Sequence, residues 1–203
     1  MSIFFHKHDL PNGLSLGSAV AIDTETMGLN LQRDRLCLVQ LSAGDGDAHL
    51  VQIAADKQPC PNLVRLLADE TCEKLFHFGR FDIAMLNQHV GPIAGQIFCT
   101  KIASKLCRTY TDRHGLSDLC RELLGLDISK QQQSSDWGAD ILSTAQQDYA
   151  AGDVLHLHQL KERLRDMLVR TGRLEMAEAC FAFLRTRTEL DRAGFETLDI
   201  FHH

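Results

Sequence analysis

Apolar positions run unbroken through Ala19-Val-Ala-Ile22 and give way to Asp23-Thr-Glu25. A continuous apolar run bounded by polar residues predicts a buried strand over 18–25. Leu36-Cys-Leu-Val-Gln-Leu-Ser42 is strand-like, Ala43–Asp47 reads as a turn, and Ala48–Ile53 reads as a third strand. Three strands with short connections predict an antiparallel meander. The spacing then changes. Asn62–Leu67 reads as a helix behind Pro59 and Pro61, and Lys74–Phe78 as a short strand. Phe81–His89 has helical spacing in Phe81, Ala84, Met85 and Leu86, and Ile97–Cys99 reads as another strand. Thr100–Leu106 and Leu116–Leu124 read as helices, the second stopped by Gly125. Polar, Gln/Ser-rich Leu126–Asp140 reads as a loop and holds the only tryptophan, Trp137. Ser143 and Gln146 have the spacing of a capping box and open a long helix through about Val169. Leu174–Leu190 reads as a last helix. The order predicts a mixed α/β domain: a sheet led by three antiparallel strands, flanking helices and a helical C-terminal end.

The length of 203 residues suits one domain, expected to span 1–203. With 44% apolar and 24% charged residues the composition is that of a globular protein with a real core. No apolar run approaches the roughly 20 residues of a membrane span. Met1–Lys7 lacks the layout of a signal peptide, so a cytoplasmic location away from membranes is expected. The seven cysteines are odd in number and no two lie two to four residues apart. That spacing disfavours a zinc finger or ribbon and predicts reduced structural thiols. Lys plus Arg is 21 against 27 Asp plus Glu, a net charge of −6. An acidic chain lacks the basic surface that grips long nucleic acid. If it handles nucleic acid, the contact is local, the substrate short, or the positive charge comes from metal ions.

Asp23-Thr-Glu25 places two carboxylates at i and i+2, on one face of a strand. Like charges side by side are unfavourable unless a cation or solvent compensates. Asp82 follows the aromatic strand beside Phe81, where a carboxylate also suits a helix start. Tyr149-Ala-Ala-Gly-Asp153 puts a phenol and a carboxylate on one helix face, with small residues between. Each has an ordinary reading by itself: a solvated pair, a helix-start acid, a core tyrosine with a polar neighbour. Converging, the four acids would carry about −4. Two Mg²⁺ or Mn²⁺ ions would offset that charge and hold both oxygens of an in-line phosphoryl displacement.

Asp23-x-Glu25, Phe81-Asp82 within His77-Phe-Gly-Arg-Phe-Asp82, and Tyr149-x-x-x-Asp153 resemble the three exonuclease motifs of the DEDD superfamily, and the tyrosine those of its DEDDy branch. Lys130–Trp137, ending Gln-Ser-Ser-Asp-Trp, is similar to the segment before the third motif in the ribonuclease D-like family. The resemblance covers about residues 15–170. It implies an RNase H-like fold, two divalent cations and 3′→5′ hydrolysis that releases 5′-monophosphates. It also implies Asp23, Glu25, Asp82 and Asp153 as metal ligands, with Tyr149 orienting or helping to deprotonate the attacking water. Two features depart from ribonuclease D. No appended helical nucleic-acid-binding domains are expected after the shared part, and Phe78 stands where that family often has Asn.

A short chain of this kind resembles the stand-alone, oligomeric members of the family that hydrolyse dinucleotides. The resemblance then implies short RNA as substrate, a homo-oligomer, and a wedge between the two bases at Leu29, just after Gly28. Leu29 reads equally as a buried loop leucine. Arg108, Arg113, His114 and Lys130, near polar loops, are candidates to cap the substrate's 5′-phosphate, as an ordinary solvated loop would also place them. Thr24, Met27, His77, Gln133 and Ser135 complete the candidate substrate contacts. Leu174, Met176, Phe181, Phe183 and Leu184, with the tail Phe195–Phe201, are expected to cover the core or join subunits. General 3′→5′ digestion of longer RNA or single-stranded DNA, and a non-catalytic nucleic-acid-binding module, stay open as alternatives.

Overall fold

The computed structural model describes residues 2–56, 58–129 and 131–203. Its centre is a mixed sheet of six strands: β1 (Ile3–Lys7), β2 (Ala19–Thr26), β3 (Leu36–Ser42), β4 (Ala48–Gln52), β5 (Glu73–Phe76) and β6 (Ile97–Cys99). They lie in the order β1-β4-β3-β2-β5-β6. β2, β3 and β4 form the expected antiparallel meander. β1 with β4, β2 with β5, and β5 with β6 pair in parallel. β3 is buried along its whole length, which is why its sequence is nearly continuously apolar rather than alternating.

Around the sheet lie α1 (Pro61–Ala68), α2 (Gly79–His89), α3 (Thr100–Cys107), α4 (Leu116–Leu119), α5 (Thr144–Leu155), α6 (Leu157–Arg170) and α7 (Leu174–Leu190). α5 packs on β2, β3 and β4, α2 on β2 and β5, and α3 on α6. The Ser143–Gln146 capping box is formed, with Ser143 N donating to Gln146 Oε1 at 3.0 Å and Gln146 N to Ser143 Oγ at 3.3 Å. All seven cysteines are free thiols. Among the described residues no helix is long and apolar enough to cross a membrane.

Four elements differ from the sequence pattern. β1 was not anticipated, because its short Ile3-Phe-Phe-His-Lys7 becomes a strand only by pairing along β4. The strand expected over 74–78 ends at Phe76, since Phe78 turns the chain into the left-handed region (φ 74°, ψ 37°) and α2 begins at Gly79. The helix expected over 116–124 is α4 followed by a π-helical turn, Cys120–Leu124, ended by Gly125 at φ 70°. The long helix expected through Val169 breaks at His156 (φ −107°, ψ −2°). α5 lies on the sheet and α6 on α3, and one straight rod could not serve both.

The C-terminal segment folds back on α2 and α7. Arg80 grips Asp191 with two hydrogen bonds, at 2.5 and 2.7 Å, and Arg187 adds a third at 2.7 Å. Phe195, Leu198, Ile200 and Phe201 stay exposed.

Candidate active site

Alternation along β2 sends consecutive side chains to opposite faces of the sheet. Asp23 and Glu25 stand opposite Gln40 and Leu38 of β3, on the face that α5 covers. Thr24 points the other way, to α2, where its hydroxyl donates to Asp82 Oδ1 at 2.6 Å. A bulge between Glu25 and Thr26 interrupts the ladder at that strand end. α5 brings Asp153 to the same place, so that oxygens of Asp23, Glu25 and Asp153 lie within 4.8 Å of one another. Gln40 Nε2 reaches Asp23 Oδ2 at 3.5 Å, and the Tyr149 hydroxyl hydrogen-bonds to Asp153. The Trp137 ring, 6.0 Å from that of Tyr149, braces the phenol.

Packing these acids together is costly in the absence of a cation. Burial first, then the charges of Asp82, Asp153 and Glu25, raise the Asp23 carboxyl well above the usual range. Burial and the neighbouring Asp153 and Asp82 push Glu25 up to about 9. Burial raises Asp82 to about 7 against the pull of the Thr24 hydrogen bond, and Asp153 to about 7 against that of Tyr149. Tyr149 is itself held above the usual phenol range by burial and the same carboxylates. A cluster of oxygen donors that cannot all ionise alone fits hard divalent cations such as Mg²⁺.

A cavity of about 330 Å³ opens over the acids. Of the sequence candidates, Asp23, Glu25, Asp82, Tyr149, Asp153, Thr24, Leu29, His77 and Gln133 line it. His77 Nδ1 lies 2.9 Å from Thr100 Oγ1, whose own proton is directed to the Phe76 carbonyl at 3.2 Å. The imidazole therefore donates from Nδ1 and keeps Nε2 as an acceptor. Burial pushes its pKa down to about 3, so the ring is neutral.

Leu29 is 83% exposed and not a buried loop residue. Just before it the turn packs tightly, since a side chain on Gly28 would meet the Asp34 carboxylate at 2.3 Å. Met27 and Gly28 do not line the cavity; Met27 rests on Gly138 instead.

Arg108 requires a correction. It is fully buried, donating to Ser104 Oγ at 3.0 Å, to the Arg113 carbonyl at 2.7 Å, and to Glu122 in an ion pair. A guanidinium so engaged holds the α3–α4 connection together and does not face a substrate. Arg113, His114 and Ser135 lie outside the cavity lining; His114 Nδ1 and Ser104 Oγ are 2.8 Å apart, and Ser135 donates to Gln132 Oε1 at 2.5 Å. Lys130 lies outside the described residues. The sequence reading missed Lys101, Ser117 and Ser129, which also line the cavity and belong to no local motif.

Residues 7–169 match the model of the 3′-5′ exonuclease family. Ribonuclease D of Granulibacter bethesdensis is 39% identical over 155 residues, 76% of this chain and only 39% of that protein's length. Brucella melitensis NrnC with bound Mg²⁺ is 57% identical, superposes with a TM-score of 0.95 and matches over all of both chains. Brucella melitensis NrnC bound to pGG is 58% identical, with a TM-score of 0.96 over 100% of this chain and 99% of that one.

Proposed function

We propose, because the chain belongs to the 3′-5′ exonuclease family, that it is an exoribonuclease that hydrolyses very short RNA, dinucleotides included, to 5′-mononucleotides. The observation that carries this reading is the meeting of Asp23, Glu25 and Asp153 within 4.8 Å at the end of β2, beside Asp82. These four carboxylates would hold two divalent cations, Mg²⁺ or Mn²⁺. Such ions supply the positive charge that activates water and stabilises the leaving oxygen.

The chain's own groups then do the positioning. Thr24 fixes the direction of Asp82, and Gln40 that of Asp23. Tyr149, kept protonated, donates to Asp153 and has its lone pairs left to orient the attacking water. His77 Nε2 is an acceptor for a hydroxyl of the terminal sugar. Leu29, exposed at the lip, offers an apolar contact that separates bases without reading their edges.

Support for short RNA comes from the acidic balance of the chain and from the likeness to NrnC bound to pGG, which extends over its whole length. The exposed apolar side chains of Met176, Phe183 and Phe201 support a homo-oligomer.

An end-labelled RNA series from two to twenty nucleotides, with Mg²⁺ or Mn²⁺ and with Asp153→Asn as control, tests the reading. The dinucleotide is expected to disappear fastest, with Asp153→Asn folded and silent. Steady shortening of the longest RNA with accumulation of dinucleotide would instead identify a general exonuclease resembling ribonuclease D.

A further inference from the structure

Phe78 violates two local preferences at once. It is the N-cap of α2, yet it offers no capping side chain, where Ser, Thr, Asp, Asn or Gly is favoured. It also holds φ 74° and ψ 37°, a left-handed conformation that only Gly and, to a lesser degree, Asn or Asp adopt with ease. Neither feature secures burial, because the residue remains 46% exposed. The next residue has to be glycine, since a side chain on Gly79 would meet Phe76 Cβ at 2.8 Å. Local rules broken without a packing gain mark places where function has set the residue.

The surroundings indicate which function. Phe78 lines the acid cavity and also a second, apolar cavity of about 520 Å³ on the outer side of α3 and α7, bordered by Ile102, Met176 and Phe183. Lys101 lines both as well, and its Nζ sits 4.2 Å above the centre of the Phe78 ring. A cation thus sits over one face of the ring, and with the residue 46% exposed part of its surface remains for a flat partner. A chain with net charge −6 gains little affinity from phosphate contacts, whereas stacking on an aromatic face needs no positive charge and tolerates any base.

We propose that Phe78 is a stacking platform for a nucleobase of the substrate, held at the edge of the acid cavity by its left-handed backbone and by Lys101. This rests on the nuclease reading of that cavity. The occupant follows from continuity: the ring borders the cavity that holds the four acids, and the base would lie between that cavity and the apolar one.

The test is a fluorescence titration of a 2-aminopurine-labelled dinucleotide in Ca²⁺, paired with steady-state kinetics in Mg²⁺. Phe78→Asn satisfies both backbone preferences, so its Tm should equal or exceed that of the wild type and misfolding does not confuse the result. Binding is expected to weaken about tenfold or more, KM to rise in step, kcat to change far less, and Phe78→Tyr to restore binding. Substrates abasic at the terminal or at the penultimate position identify the stacked base, because removing it erases the difference between wild type and Phe78→Asn. Unchanged binding in Phe78→Asn overturns the proposal, as does an equal loss on both abasic substrates. A change of sedimentation without a change of binding assigns the apolar cavity to a second copy of the chain and overturns it too. Phe78-dependent binding without hydrolysis by the wild type would sink the nuclease reading and leave the platform standing. Hydrolysis with Phe78-independent binding would do the reverse.

Discussion

Thr24 donates its hydroxyl to Asp82 Oδ1 at 2.6 Å, joining two residues 58 positions apart. The bond reaches the carboxylate from the face of β2 opposite to Asp23 and Glu25, and it opposes the upward push of burial on Asp82. Thr24→Val keeps the shape and removes the donor. A lost hydrogen bond to a charged group of about 1.5–3 kcal/mol corresponds to a fall in kcat of about tenfold or more. Thr24→Ser should retain most of the rate. Single-turnover kinetics with a Mg²⁺ titration checks this, and a normal kcat in Thr24→Val would remove the residue from the machinery.

The acid cluster makes stability depend on pH in a defined direction. Asp23, Glu25, Asp82 and Asp153 all titrate above the ordinary carboxylate range when no cation is bound. Between about pH 4 and pH 9 the folded state therefore binds more protons at these groups than the unfolded state. Their contribution is greatest below the unfolded pKa and is lost as pH rises towards the folded values. The Tm of metal-free protein should fall from about pH 5 to pH 8, and Mg²⁺ should restore it at the upper end. Asp23→Asn should flatten the fall and blunt the response to Mg²⁺. Scanning calorimetry of the two proteins in parallel isolates the cluster, and equal slopes would contradict the assignment.

Leu29, 83% exposed, contributes little to the core. Leu29→Ala should leave stability within about 0.5 kcal/mol. If the side chain separates bases, its loss should reduce kcat/KM on dinucleotides by about tenfold, with a much smaller loss on longer RNA. Competition between a dinucleotide and a seven-nucleotide RNA in one reaction reads the ratio directly. An unaltered ratio would show that Leu29 is only a surface leucine.

Arg108 and Glu122 form an ion pair whose cationic side is fully buried. Glu122→Ala removes the ionic partner of the buried guanidinium, which keeps Ser104 Oγ and the Arg113 carbonyl, and should destabilise the fold by about 1–3 kcal/mol. Urea denaturation measures this. KM for 5′-phosphorylated RNA should stay unchanged for the folded fraction. A raised KM at full stability would instead return Arg108 to the substrate.

Much of the fold was legible in the chain because the signals are local. Unbroken apolar runs at β2 and β3 demand burial, and Ser143 with Gln146 marks the start of α5 by two short-range hydrogen bonds. What escaped was set by partners distant in sequence. β1 exists because β4 offers it an edge, and the break at His156 exists because α5 and α6 pack on different elements.

The same division runs through the site. The sequence by itself determined the chemistry on offer: the i, i+2 pair Asp23 and Glu25, the i, i+4 pair Tyr149 and Asp153, and Asp82 at the start of α2, since strand and helix periods fix which neighbours share a face. Only the tertiary structure decided that three of these acids meet within 4.8 Å and that Thr24 reaches Asp82. It alone turned Arg108 inward, set Leu29 outward and brought Lys101 over Phe78. The reason is physical. Backbone period acts over a few residues, whereas burial and ion pairing depend on which distant surfaces the packed core brings together.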